Sequence, residues 1–295
     1  MNSRLVSAAW SAPIRDMIFA ARFVLSAFLL ACPTGWAAAD TPEEMLSSEA
    51  ATNDQPSPKA IDPPAPQPSE IELGSSYEDL GKGINHWRSV YLEGVHRFAP
   101  REVIYGQVRE SERFARRDQE VLGGFYYPLA DTWTALVEAN ASPSHHILAK
   151  WSVFAQLEKS FPAGWGLHAG LRHTEYAQSN TNLALVTAER YFGNFRAAYS
   201  LYSGRPEGAG SAASHRFQLG YYYGDGSSVG IAYAVGREVE NVLPAGVLTT
   251  GVRSLGLLGR HWFSRQWALS YEALWHEQGT LYTRRGVRVG LRHRF

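Results

Sequence analysis

The chain has 295 residues, with 28 Lys and Arg against 28 Asp and Glu, 45% hydrophobic residues and 13% aromatic ones. After the N-terminal region no apolar run reaches the roughly 18 residues of a membrane-crossing helix, which excludes an ordinary helical membrane protein. A membrane barrel is not excluded, because its strands alternate lipid-facing and lumen-facing residues. The neutral total hides an asymmetry: residues 40–83 hold ten acidic and two basic residues, and residues 84–295 hold 17 acidic and 23 basic ones, mostly Arg.

The first element is an address. Arg15 and Arg22 precede the apolar stretch 23–31, and Gly35, Ala37, Ala38 and Ala39 follow it. A basic flank, a short apolar core and a small-residue exit make a secretory signal peptide over residues 1–39. Translation starts at Met1 or at Met17, the latter giving a more ordinary signal length. Leu29-Leu30-Ala31-Cys32 offers a competing lipobox, against which stand Pro33 and the cleavage site downstream. Cys32 is the only cysteine, so the mature chain is expected to lack a disulfide framework, a cysteine metal site and a thiol nucleophile. Residues 40–69 contain Pro56, Pro58, Pro63, Pro64, Pro66 and Pro68 among scattered acids. Such a segment buries too little surface to offset its ordering entropy and is expected to be a disordered acidic linker.

From residue 70 to 295 the pattern changes to period two, the mark of strands. A first, weak strand is read at about residues 71–79. Further on, Trp151, Val153, Ala155 and Leu157 alternate with Ser152, Phe154, Gln156 and Glu158; Leu167, Ala169 and Leu171 alternate with His168, Gly170 and Arg172. The same holds around residues 195–202, 216–223 and 229–236. Near residues 252–262, Leu255 and Leu257 fall out of phase with Leu258, which predicts a bulge. Trp267, Leu269, Tyr271, Ala273 and Trp275 share one face with aromatics at both ends, as in a membrane girdle. In the closing segment Val287, Val289, Leu291, His293 and Phe295 form one face, and Arg288, Gly290, Arg292 and Arg294 the other. An Arg-lined inner face is ordinary in a barrel with a polar lumen and rare in a soluble sheet.

Short turns at residues 161–165, 193–194, 224–227 and 263–266 alternate with longer polar stretches at 111–118, 141–149, 178–182, 203–214 and 238–248. Short periplasmic turns and longer outer loops are the barrel rule, so both termini are placed in the periplasm. The fold read from the sequence is all-β: a transmembrane antiparallel up-and-down barrel of about fourteen strands, or twelve without the weak first one and a partner. A soluble β-sandwich explains the alternation but not the signal, the terminal Phe295 or the Arg-lined faces.

Several positions carry a family resemblance: Trp87, Arg113-Phe114 with Asp118 downstream, Gly170-Leu171-Arg172 followed by Tyr176, Glu189-Arg190-Tyr191-Phe192-Gly193, and Arg292-His293-Arg294-Phe295. Over roughly residues 73–295 the chain resembles the YaiO-type outer-membrane barrel family. The resemblance implies a barrel in the outer membrane and fixes place more than activity. Some relatives carry helical repeats before the barrel; the Pro-rich segment here implies no repeat-mediated partner binding. A terminal Phe after alternating apolar residues also resembles the signal read by the barrel-assembly machinery, which assigns that role to Phe295.

Candidate chemistry is sparse. A barrel hydrolase needs a nucleophile beside a base near the outer rim. His145 and His146 stand beside Ser142 and Ser144, His173 near Glu175, and His215 between Ser211 and Ser214. A loop-rich chain with ten His produces such pairs by chance. Two adjacent His point in different directions and no carboxylate is expected nearby, so no metal site is read and no cofactor is expected. The predicted inward charges are more informative: Glu93, Arg97, Arg109, Glu138, Glu158, Arg172, Arg196, Arg216, Glu238, Arg253, Glu272, Arg288, Arg292 and Arg294. Full pairing would give a rigid plug; a surplus of Arg would draw anions such as acidic sugars. At the closing strand Glu272 answers one Arg, and Glu72 and Glu78 are few, so a positive surplus is expected at the seam. The resulting reading is a non-enzymatic channel or anchor for envelope polysaccharide or another anionic solute. Its expected partners are outer-membrane lipid, lipopolysaccharide and the barrel-assembly machinery, and no nucleic acid. The alternative is an outer-leaflet lipid or glycan hydrolase.

Overall fold

The computed structural model describes residues 69–99, 101–207, 210–224, 226–242 and 246–295. The predicted signal peptide with Cys32, and the linker up to residue 68, lie outside them. Among the described residues fourteen antiparallel strands run in chain order: β1 (Glu70–Asp79), β2 (Trp87–Ala99), β3 (Glu102–Arg113), β4 (Arg116–Ala130), β5 (Trp133–Ala141), β6 (Trp151–Phe161), β7 (Trp165–Glu175), β8 (Asn180–Phe192), β9 (Phe195–Pro206), β10 (Ala212–Tyr223), β11 (Ser227–Val242), β12 (Gly246–Trp262), β13 (Trp267–Gln278) and β14 (Tyr282–Arg294). Each pairs with its sequence neighbours, and β1 pairs with β14 to close the barrel. Closure leaves no unpaired strand edge, the condition for a sheet in lipid.

The alternation is inverted relative to a soluble protein. Leu171 and Val287 are 69% and 57% exposed, whereas Arg292 is 1% and Glu72 2% exposed. Apolar side chains therefore form the outer wall and charged ones fill the inside. Trp133, Phe161, Trp165, Phe192, Phe195, Phe263 and Trp267 stand exposed at the end that carries Ser69, Phe295 and the short turns, which makes a girdle at the periplasmic side.

Three local expectations change. No bulge interrupts β12, whose register with β11 and β13 is continuous; Leu255 and Leu257 face outward and Leu258 simply turns into the lumen. The register shifts lie instead between Arg97 and Ala99 and between Pro128 and Ala130, at periplasmic strand ends. The polar stretch 111–118 is no loop. Phe114 and Ala115, with φ of 50° and 57°, make a two-residue turn between β3 and β4, a tight hairpin geometry normally marked by Gly or Asn. The stretches 203–214 and 238–248 are likewise largely strand.

The lumen is also less polar than expected. Tyr105, Tyr126, Leu136, Phe154, Leu183, Leu185 and Tyr202 pack into one buried apolar cluster inside it. At the outer end of the seam, Leu80, Trp87 and Tyr282 form a second cluster against Ile84, Phe114 and Leu281.

Candidate functional site: the charge-paired lumen

The closing strands bring the densest charge together. Glu70 faces Arg294 and Glu72 faces Arg292 in the β1–β14 register, and Glu93 on β2 is the register partner of Glu72. All point inward. Arg292 sits 2.8 Å from Glu70 Oε2 through Nη1, 2.7 Å from Glu72 Oε2 through Nε, and 2.8 Å from Glu93 Oε1 through Nη2. Arg294 donates to Glu70 Oε1 at 3.0 Å and lies over the Trp262 ring at 3.8 Å. Tyr91 and Ser270 donate to the other oxygen of Glu72, and Gln107 donates to Glu93. The Tyr91 ring crosses Gly74 on β1, where any Cβ would collide with it.

Above this cluster Arg288 stacks on Tyr91 at 4.1 Å and faces Glu272 across β13–β14. Elsewhere Arg172 donates to Glu138, which also accepts from Tyr105, at 2.8 and 2.7 Å. Arg196 and His168 share Glu189 at 2.7 and 2.9 Å, and Glu158 lies 3.4 Å from the other His168 nitrogen. Arg109 meets Glu120 at 2.6 Å. Arg216 and Glu238 are buried on the lumen faces of β10 and β11. Arg253 is the exception: it is exposed on the lipid-facing side of β12, because Val252 and Ser254 take the inward positions.

The expected positive surplus at the seam does not hold. Among the described lumen-facing side chains, eleven carboxylates (Glu70, Glu72, Glu78, Glu93, Asp118, Glu120, Glu138, Glu158, Glu189, Glu238, Glu272) stand against eleven Arg (97, 109, 113, 172, 196, 216, 260, 284, 288, 292, 294). At the seam three carboxylates surround the Arg292 guanidinium, and one of them, Glu70, is shared with Arg294. Glu70 escaped the sequence reading because it fell at the linker boundary; Glu93 was read as inward, but its contact with Arg292, made across β1, was not legible.

A narrow cleft lies between this cluster and the outer cap, lined by Ser76, Glu78, Ser89, Tyr91, Gln107, Arg109, Glu272 and Arg288. Its cap is Trp87, flanked by the guanidiniums of Arg113 and Arg284 at 4.5 and 5.1 Å. Arg284 in turn lies 3.1 Å from Glu78. On the other side of the mouth the β5–β6 loop buries Ile147, Leu148 and Ala149. Asp118 holds it by accepting from the backbone N–H groups of Ile147 and Leu148 at 2.7 and 2.9 Å.

The candidate nucleophile–base sets do not assemble. His145 faces the Ser142 carbonyl; Ser142 Oγ donates to the Gln119 carbonyl, and Ser144 Oγ accepts from the Gln119 N–H. His173 contacts Asn182, and His215 contacts Tyr199. His146 does have a carboxylate, contrary to the sequence reading: Asp118 is 2.8 Å away, from 28 residues earlier in the chain. Among the described residues no group of three or more metal-binding side chains gathers.

A closed sheet with an apolar wall, an aromatic girdle and an ion-paired interior defines an outer-membrane β-barrel. The family described as the YaiO membrane beta barrel domain matches residues 68–241, and the chain belongs to it. No curated protein matches the chain. Among solved structures, a bacterial polysaccharide outer membrane secretin is similar at 11% identity, over 77% of this chain and 98% of that one, with a TM-score of 0.51. OmpF of Salmonella typhi, in complex with daunomycin, is similar at 9% identity over 77% and 97%, with a TM-score of 0.46. The KdgM porin, in complex with disordered oligogalacturonate, is similar at 11% identity over 77% and 99%, with a TM-score of 0.42. At these identities the likeness concerns the barrel fold.

Proposed function

We propose that this outer-membrane barrel is non-enzymatic and that its narrow lumen passes or holds an anionic, hydroxyl-rich solute such as envelope polysaccharide. The cleft beside the closing seam supports this reading above all. Arg109 and Arg288 line it with guanidiniums, and Ser76, Ser89 and Gln107 offer groups that exchange hydrogen bonds with hydroxyls. Guanidinium–carboxylate contacts are strong and directional. Glu78 and Glu272 in the same cleft offset the positive charge, so an acidic solute can enter and still leave, as conduction requires. Its assembly through the barrel-assembly machinery by way of Phe295, and its setting among outer-membrane lipid and lipopolysaccharide, belong to the same proposal.

Planar bilayers test it. The parent barrel should conduct in small steps with little cation–anion preference, because the lumen charges balance, and oligogalacturonate should block it more than a neutral oligosaccharide of equal length. R288Q should weaken that block while leaving the barrel folded. Equal block by both sugars, or turnover of lipid or glycan by the purified barrel, would overturn the reading.

A further inference from the structure

Among the described residues, Arg237 on β11 and Arg253 on β12 belong to neither the lumen nor any ion pair. Both are exposed and point outward. Each takes the outward position directly beyond a lipid-facing run: Val229, Ile231, Tyr233 and Val235 before Arg237, and Leu257 and Leu255 before Arg253. They therefore stand at the outer edge of the lipid band, where headgroups begin. In the β11–β12 register Arg253 faces Val235 and Arg237 faces Gly251. The two guanidiniums are thus diagonal neighbours, with Cα atoms roughly 7–8 Å apart, and Gly251 leaves the space between them without a side chain. Trp275 on β13, partly exposed and facing Leu255 in register, lies just below. Glu277 faces Arg253 and Asp79 faces Arg285, but neither carboxylate comes within ion-pair distance of these arginines.

The same rim on the opposite arc is neutralised. There Arg88 meets Glu112 at 2.8 Å, Arg117 meets Glu112 and Glu110 at 3.1 and 3.4 Å, and Lys150 meets Glu175 at 2.8 Å. Among the described residues, the β11–β12 arc is left with an adjacent guanidinium pair beside an interfacial indole. We propose that Arg237 and Arg253 hold a phosphate of a phosphorylated glycolipid of the outer leaflet, with Trp275 against its sugar–acyl boundary. Arg forks match phosphate oxygens in bidentate fashion, and basic clusters at the membrane edge recognise anionic headgroups. The occupant is a lipid because the site opens toward the bilayer and its lower wall is apolar.

The test is the heat-modifiable unfolding midpoint of the full-length barrel in detergent, with diphosphoryl lipid A, with its dephosphorylated form, or with inorganic phosphate. Diphosphoryl lipid A should raise the midpoint of the parent, and the other two should not. R237Q/R253Q should lose most of the rise, whereas R88Q/R117Q should keep it. Should the double variant not assemble, R253Q alone carries the comparison and should lose at least half. No rise in the parent, an equal rise with dephosphorylated lipid or free phosphate, or a full rise in the Gln variants would overturn the proposal.

Discussion

Replacing Arg292 by Gln is the sharpest perturbation of the lumen. The side chain is 1% exposed, and its three nitrogens contact three different glutamates at 2.7–2.8 Å. Gln can reach one of them and brings no charge, so R292Q leaves Glu70, Glu72 and Glu93 facing one another. Removing one partner of a buried ion pair costs about 3–5 kcal/mol. The loss does not triple, because Arg294 still contacts Glu70, Tyr91 and Ser270 still donate to Glu72, and Gln107 still donates to Glu93. Urea unfolding in micelles, followed by the heat-modifiable fraction, should therefore show R292Q about 3–5 kcal/mol less stable. Adding E72Q to R292Q removes part of the repulsion, so the double variant should be more stable than the sum of the singles by about 1 kcal/mol or more. A stability within about 1 kcal/mol of the parent for R292Q, or strict additivity in the cycle, would show that water screens this cluster and that it does not act as one unit.

Two further outcomes are expected. Deleting Phe295, whose backbone pairs with Ser69 at 3.0–3.1 Å and whose ring is 69% exposed, should lower the amount of assembled barrel and raise periplasmic aggregate; unchanged assembly on fractionation would remove its role as a recognition residue. Asp118→Ala deprives the β5–β6 loop of two backbone acceptor contacts worth about 1.5–3 kcal/mol each; the loop around residues 142–150 should then be cut faster by added protease and single-channel conductance should rise, and equal cleavage in both proteins would count against the clamp.

The strands were legible wherever they touch lipid. There one face is apolar and the other is not, so Trp267 to Trp275 and Val287 to Phe295 announce their phase. Legibility fails where strands leave the bilayer. Glu110, Glu112, Arg116 and Arg117 are polar on both faces, and the Phe114–Ala115 turn carries neither Gly nor Asn, so a tight hairpin reads as a loop. It fails again inside the barrel, where apolar residues such as Leu258, Phe154 and Leu185 occupy lumen positions. An apolar lumen residue looks like a phase error, which is why Arg253 was placed on the wrong side. The partners of the lumen charges needed the fold itself. Glu93 and Arg292 are 199 residues apart and meet across β1, and Asp118 meets His146 only because the β5–β6 loop folds back over the mouth.

The concentration of charge at the seam follows from how a barrel must close. In a soluble sheet a buried apolar face discriminates between registers, because each side chain fits a particular site in the core. Against lipid that discrimination is weak, since fluid acyl chains accept any apolar residue in any order. β1 is poor even in these: outward it carries Ile71, Leu73, Ser75, Tyr77 and Asp79. A slip of two residues against β14 would keep every side chain on its proper face and lose little against the bilayer. It would, however, put Gly74 or Glu70 opposite Arg292 in place of Glu72, and against β2 it would put a side chain beneath the Tyr91 ring where Gly74 now lies. The polar lumen therefore supplies the register information that the lipid face cannot, and the need is greatest where the first and last strands meet without a connecting turn. Glu70, Glu72, Glu93, Arg292 and Arg294 stand at that junction.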